Sequence, residues 1–244
     1  MKIAVVSDKE YDLSPYSAEG ITLKYIPSSA SVSPAVWFEY EAAFLAEPYS
    51  EAAQIAWTGH PHLRCLSTID CIRDELNVLL NNVECERKFL LAYPDLSKLA
   101  KYHPYCSHIE QTYLKNDKAT HRLRQRTADG VTAYIETVKY RISGAKCTEI
   151  ERNLTKEEFD ELMQLADPAK HTIVKDRYCF LYKGQYFELD LFAFWNDRAL
   201  IELELNRDDQ EVELPPELTL IAEVTDDVRY KNNHLASVTN YDHY

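Results

Sequence analysis

The sequence predicts an α+β protein: an up-and-down antiparallel sheet that closes into a β-barrel with peripheral helices, preceded by a small α/β unit. Three observations carry this. Two-residue turn signals recur at Asn116-Asp117, Asp129-Gly130, Ser143-Gly144, Lys183-Gly184 and Asn196-Asp197, between stretches rich in Tyr, Thr, Val and Ile. Within those stretches, charged residues occupy every second position, the period of a strand with one covered face. Before Val83 the texture changes to short apolar runs and a helical periodicity.

In the first part, residues 1–82, Met1 to Val6 reads as a buried strand and Ile21 to Ile26 as a second. Thr68 to Leu80 reads as a helix with Cys71, Ile72, Leu76, Leu79 and Leu80 on one face. Its Ser67 to Leu76 run resembles the small subdomain that precedes ATP-grasp catalytic domains, and no activity is assigned to it. The strands begin at Val83 and occupy most of residues 83–244. One helix interrupts them. Thr155 and Glu158 have capping-box spacing, Phe159, Leu162 and Leu165 follow at helical intervals, and Asp167-Pro168 is the expected stop. This helix is expected outside the barrel, as a crossover or lid.

Composition narrows the function. A chain of 244 residues can bury a core of its own, and no apolar stretch approaches the roughly 20 residues of a bilayer span. Met1 to Val6 turns polar at Ser7, too soon for a signal peptide, so a cytoplasmic location is expected, with no membrane partner. The five glycines, at 20, 59, 130, 144 and 184, build neither a dinucleotide-binding turn nor a P-loop. A formal charge of −13 argues against a nonspecific nucleic-acid surface. The six cysteines include no C-x-x-C pair, and His60 and His62 beside Cys65 read as a polar turn rather than a metal fragment.

The charges segregate by sign along the strands. Glu84 and Glu86 share a face with Lys88, Arg122 with Arg124 and Arg126, Thr137 with Lys139, and Glu149 with Glu151. Lys175 falls with Arg177, Glu188 with Asp190, and Glu202 with Glu204. For any one strand, a charged outer face over an apolar interior is the commoner arrangement. Across all of them, like charges two apart repel, so a compensating charged object is expected between the strands. A lumen with acids on one side and bases on the other would hold a polyanion bridged by divalent cations.

The run Glu84-Cys85-Glu86-Arg87-Lys88 resembles the E-x-E-x-K signature of the CYTH superfamily, the triphosphate tunnel metalloenzymes. The resemblance continues in order through Arg122-Leu123-Arg124, Thr137-Val138-Lys139, Glu149-Ile150-Glu151, Lys175-Asp176-Arg177, Glu188-Leu189-Asp190 and Glu202-Leu203-Glu204. It closes with Glu223-Val224-Thr225 through Arg229-Tyr230-Lys231. Cys85 stands where an aliphatic residue is more usual, and Tyr186 where many relatives have Trp.

The resemblance implies an eight-stranded antiparallel barrel whose tunnel binds a triphosphate with Mg²⁺ or Mn²⁺. Glu84, Glu86, Asp190, Glu202 and Glu204 would hold the metal. Lys88, Arg122, Arg124, Lys139, Lys175, Arg177 and Lys231 would bind the phosphates, and Glu84, Glu204 and Lys88 would serve catalysis. The expected reaction is hydrolysis of inorganic triphosphate. Alternatives are class IV-type adenylate cyclisation, hydrolysis of thiamine or nucleoside triphosphates, and polyphosphate binding without turnover. Tyr113, Tyr134, Tyr178 and Tyr186 are candidates for stacking on an organic moiety, with core roles the commoner use. Leu189, Leu191 and Phe192 would serve either a homodimer interface or the core.

Overall fold

The computed structural model describes residues 1–16, 19–32, 34–37, 39–60, 62–81, 83–116, 118–143, 146–205 and 210–241. Four parallel strands open the chain: β1 (Lys2–Ser7), β2 (Thr22–Pro27), β3 (Ala42–Ala46) and β4 (Leu63–Leu66), in the order β2-β1-β3-β4. Between and after them lie α1 (Pro34–Trp37), α2 (Glu51–Trp57) and α3 (Ile72–Asn81). Ile3 to Val6 and Ala42 to Ala46 are fully buried, as strands covered on both faces must be. Ile3, Val5, Phe44 and Leu66 pack with Ile72 and Leu76 of α3. The opposite face, with Ala4, Val6, Leu45 and Leu63, packs with Trp57 and also with Cys179, Leu181 and Tyr186 of the second sheet. The two sheets therefore share one core.

The second sheet has nine antiparallel strands: β5 (Val83–Ala92), β6 (Tyr105–Leu114), β7 (Thr120–Ala128), β8 (Val131–Ser143), β9 (Lys146–Leu154), β10 (Ile173–Tyr182), β11 (Gln185–Phe192), β12 (Arg198–Glu204) and β13 (Leu220–Glu223). Their order is β12-β11-β10-β6-β7-β8-β9-β5-β13, and β12 also pairs with β5. Val83 to Cys85 meet β9, while Glu86 to Ala92 meet β12. The turns are built as their residues require. Asp129 and Gly130 have φ of 48° and 77°, and Lys183 and Gly184 of 49° and 70°, the left-handed pair that matches strand twist in a tight hairpin. Asp117 and Gly144, of two further turn signals, lie outside the described residues, and Asn196-Asp197 lies between β11 and β12.

Three short helices complete the chain: α4 (Leu96–Leu99), α5 (Lys156–Met163) and α6 (Asn232–Leu235). The capping box on α5 is present: Glu158 N–H donates to Thr155 Oγ1 at 3.2 Å, and Thr155 N–H donates to Glu158 Oε2 at 2.8 Å. The helix ends before Asp167-Pro168, and Leu165 is 60% exposed rather than on a helical apolar face. Backbone bonds explain this. Lys115 N–H donates to Leu165 O, Asp167 N–H to Tyr113 O, and Ala166 bridges Leu114, so the chain is drawn back to the end of β6.

Phe89, Leu91, Leu189, Leu191, Ile201 and Leu203 form an apolar layer closed over by Leu99, Leu205 and Leu218. On the other face, beyond the charged positions, Leu90, Tyr113, Phe192, Trp195 and Leu200 pack with Tyr230 and Leu235 of the C-terminal segment. Leu189, Leu191 and Phe192 are thus buried within their own chain and offer no surface to a second copy. Among the described residues, no helix is long and apolar enough to cross a membrane.

Candidate functional site

Strand registers bring the charged alternate positions to one face, where they line a single cavity of about 990 Å³. Ten of the twelve site residues expected from the sequence line it: Glu86, Lys88, Arg122, Arg124, Lys139, Lys175, Arg177, Glu202, Glu204 and Lys231. Asp190 does not. It is fully buried behind Lys175 and Arg177. The side chain of Glu84 lies outside the described residues.

Two arcs result. β5, β12 and β11 present Glu86, Glu202, Glu204 and Glu188, while β10, β7 and β8 present Lys175, Arg177, Arg122, Arg124, Arg126 and Lys139. β9 departs from the two-bank expectation by returning acids, Glu149 and Glu151, beside the basic arc. Compensation of like charges is also supplied by neighbouring strands. Arg122 donates to Glu149 at 2.7 Å, Arg124 to Glu151 at 2.9 Å, and Lys139 approaches Glu149 at 2.8 Å. Opposite them, Arg177 donates through Nε and Nη2 to Asp190 at 2.7 Å each, through Nη2 to Glu202 at 2.8 Å, and through Nη1 to Glu188. Lys88 Nζ lies 2.5 Å from Glu202, and Lys175 donates to Asp190.

The burial of these groups sets their protonation. Burial opposes the charge on Glu202, but Lys88 and Arg177 outweigh it and hold the carboxyl well below its ordinary range. Glu86 is held down in the same way by Lys139 and Lys88. Glu188 goes the other way, raised by burial despite Arg177. Burial and the adjacent Arg177 push the Lys175 ammonium down to about 8. The cavity therefore keeps strong bases charged beside carboxylates of unequal acidity.

The C-terminal element reaches the site as its sequence suggests. Val224 N–H donates to Lys88 O at 2.8 Å, and Lys88 N–H donates to Thr225 Oγ1 at 3.0 Å. Lys231 then lies 3.5 Å from Glu86. Of the candidate stacking residues, Tyr113 lines the cavity, while Tyr134 packs on Phe159 and Tyr186 donates to Thr58 O.

Sequence reasoning left several lining residues without a role. Glu188 and Arg126 were visible in the alternation and belong to the same face as their assigned neighbours. Arg64 and His62 carried no local signal, because they come from the N-terminal unit. Arg64 meets Glu204, and His62 Nε2 lies 3.6 Å from Glu151. Burial works against a charged His62, yet Glu151 holds its pKa above the usual value.

His60, beside them, is a structural group. Its Nε2 bonds to Tyr40 O at 3.2 Å and its Nδ1 accepts from His62 N–H at 3.1 Å, which makes it a neutral donor-acceptor. Burial first, then the His62 charge, lowers its pKa to about 3. A histidine depressed on folding loses stability as pH falls below its unfolded value near 6.5, because only the unfolded chain takes up the proton. Between pH 6.5 and 5 the loss should be about 2 kcal/mol. Chemical-denaturation curves across that range should show a shallower pH slope for His60→Gln than for wild type, and equal slopes would refute the assignment.

The donor set suits a divalent cation in kind. Glu86 faces Glu204 directly across β5 and β12, and Glu188 faces Glu202 across β12 and β11. Opposed like charges are unfavourable unless a cation stands between them, and carboxylate oxygens suit Mg²⁺ or Mn²⁺. Among the described residues no three acids, histidines or cysteines are already clustered as ligands, since each acid here turns to a protein cation. Arg124 Nε, buried without a hydrogen-bond partner, fits an anion in the same cavity.

Comparison with known proteins places the chain further. A family model for the CYTH domain matches residues 82–237. An inorganic triphosphatase of Nitrosomonas europaea is 34% identical over 158 residues, which span 63% of this chain and 96% of that protein. A crystal structure of an inorganic triphosphatase aligns at 33% identity over 64% of this chain and 95% of its own, with a TM-score of 0.44. An adenylyl cyclase candidate from Hippeastrum with a dominant triphosphatase activity aligns at 14% identity over 50% of this chain and 80% of its own, with a TM-score of 0.38.

Proposed function

The chain belongs to the CYTH domain family, and on that premise we propose that it hydrolyses inorganic triphosphate to pyrophosphate and phosphate. The observation that carries the proposal is the convergence of Lys88, Arg122, Arg124, Lys139, Lys175 and Arg177 with hard carboxylates in one cavity. In this reading strands β5 to β12 form a closed tunnel, residues 83–244 are the catalytic domain, and the cytoplasm is the site of action. The pairing of β5 with both β9 and β12 supports closure.

Phosphoryl transfer demands positioning and charge neutralisation more than covalent chemistry. The guanidinium forks of Arg122 and Arg124 match phosphate oxygens, and Lys139 and Lys88 neutralise them as point charges. Glu204, with Glu84, is the carboxylate assigned to orient the attacking water and receive its proton. Mg²⁺ or Mn²⁺, held by Glu84, Glu86, Glu202 and Glu204 with Asp190 behind them, would supply charge neutralisation and acidify bound water. Water adds to the terminal phosphorus, and pyrophosphate leaves with the electron pair of the broken P–O bond.

A panel of inorganic triphosphate, ATP, GTP and thiamine triphosphate, each with Mg²⁺, with Mn²⁺ and with EDTA, tests this reading. The expected outcome is phosphate release fastest from inorganic triphosphate and abolished by EDTA. Cyclic AMP as the main product, or tight binding without turnover, would replace it.

A further inference from the structure

Residues 58–60 and 62–64 run from α2 into β4 along one side of the cavity, which Tyr105, Arg126, Glu151 and Glu204 line, and beside Tyr186, each from a different strand. The N-terminal unit meets all five. Trp37 packs edge-on against Tyr105 with ring centroids 5.1 Å apart. Arg126 donates to Gly59 O at 3.1 Å, and Tyr186 donates to Thr58 O at 2.9 Å. His62 and Arg64 approach Glu151 and Glu204. The seam is tight: a Cβ on Gly59 would stand 2.2 Å from the Trp37 ring and 2.7 Å from Tyr105.

We propose that the N-terminal unit is the end wall of the phosphate cavity, and that Arg64 binds the terminal phosphate of a short linear phosphate chain held against it. The proposal rests on the triphosphatase reading. Arg64 is 8% exposed and lines the cavity. Its Nη1 donates to Leu63 O at 3.2 Å, its Nε faces Glu75 of α3 at 3.7 Å, and its Nη2 is the end turned to Glu204. Backbone and helix thus back the guanidinium while its tip enters the site.

Charge gives the arrangement its purpose. On this side the second sheet offers Glu151, Glu188 and Glu204 against Arg126, an excess of acid that repels an anion. Arg64 and His62 bring the offsetting cations from a segment that the family region does not include. The close packing of Trp37, Tyr105 and Gly59 is the basis for reading this side as closed to a longer chain.

Steady-state kinetics and calorimetric titration of the full-length protein with inorganic triphosphate, for wild type, Arg64→Gln and Arg64→Lys, test the proposal. Loss of a charged hydrogen bond should raise KM about tenfold or more in Arg64→Gln. Arg64→Lys, which keeps the charge but loses the fork, should recover part of that. Long-chain polyphosphate should compete with triphosphate far more weakly than pyrophosphate does. An unchanged KM with a lowered melting temperature would make Arg64 merely structural, and strong competition by the long chain would remove the end wall. If Arg64→Gln does not fold, a KM for Arg64→Lys equal to wild type overturns the proposal. A wild type without turnover would instead overturn the triphosphatase reading, and calorimetry in EDTA would still compare Arg64 variants for triphosphate binding.

Discussion

Glu202→Gln is expected to lower triphosphate hydrolysis by about 10²–10³-fold, the usual cost of removing one preorganised charge from a site that stabilises developing charge. Glu202 is the acid on which both walls of the acidic arc depend. It accepts from Arg177 and lies within 2.5 Å of Lys88, while facing Glu188 across the strand pair. Lys88 and Arg177 keep it ionised at any working pH despite its burial. An amide retains the shape but neutralises neither cation, so both would turn toward other acids and away from the phosphates. Phosphate release measured beside thermal melting decides the matter. A folded variant with activity within about fivefold of wild type would contradict the assignment.

Arg177→Met should carry the largest stability cost of any single change in the cavity. One guanidinium serves Asp190, Glu188 and Glu202, and all three acids are largely or fully buried. Removing the cation from a buried cluster leaves uncompensated charge and costs about 3–5 kcal/mol, even though the intact cluster adds little net stability. For a domain of this size the melting temperature should fall by roughly 10 °C. The deficit should shrink on acidification toward pH 5, because Glu188 already binds its proton more readily than an ordinary glutamate. A melting temperature within 2 °C of wild type, as small as the effect of about 1 kcal/mol or less, would refute the account.

What could be read from residues alone follows the range of the interactions. Asp129-Gly130 and Lys183-Gly184 announce hairpins because tight turns with positive φ are a local matter. Thr155 and Glu158 announce the start of α5 for the same reason, whereas its end is decided by the pairing of Ala166 with Leu114 of β6, far along the chain and beyond local view. Alternation assigned Arg122, Lys139 and Glu204 to one face without naming their neighbours. Hence the mutual neutralisation of β7 and β8 with β9 was not legible, and neither was the retreat of Asp190 behind Arg177. In the N-terminal unit, β3 and β4 have only five and four residues, too few for a period to register. Arg64 needed the tertiary packing of two sheets before it had any meaning.

The aromatic packing has a practical consequence. The three tryptophans of the chain fall in two core clusters: Trp37, which lines the cavity, and Trp57 where α1 and α2 abut Gly59 and His60, and Trp195 in the cluster with Tyr230. Their indole emission is a built-in optical label in two separate packing clusters, without any added dye. Swapping Trp195 for phenylalanine would leave the light coming from the N-terminal cluster alone.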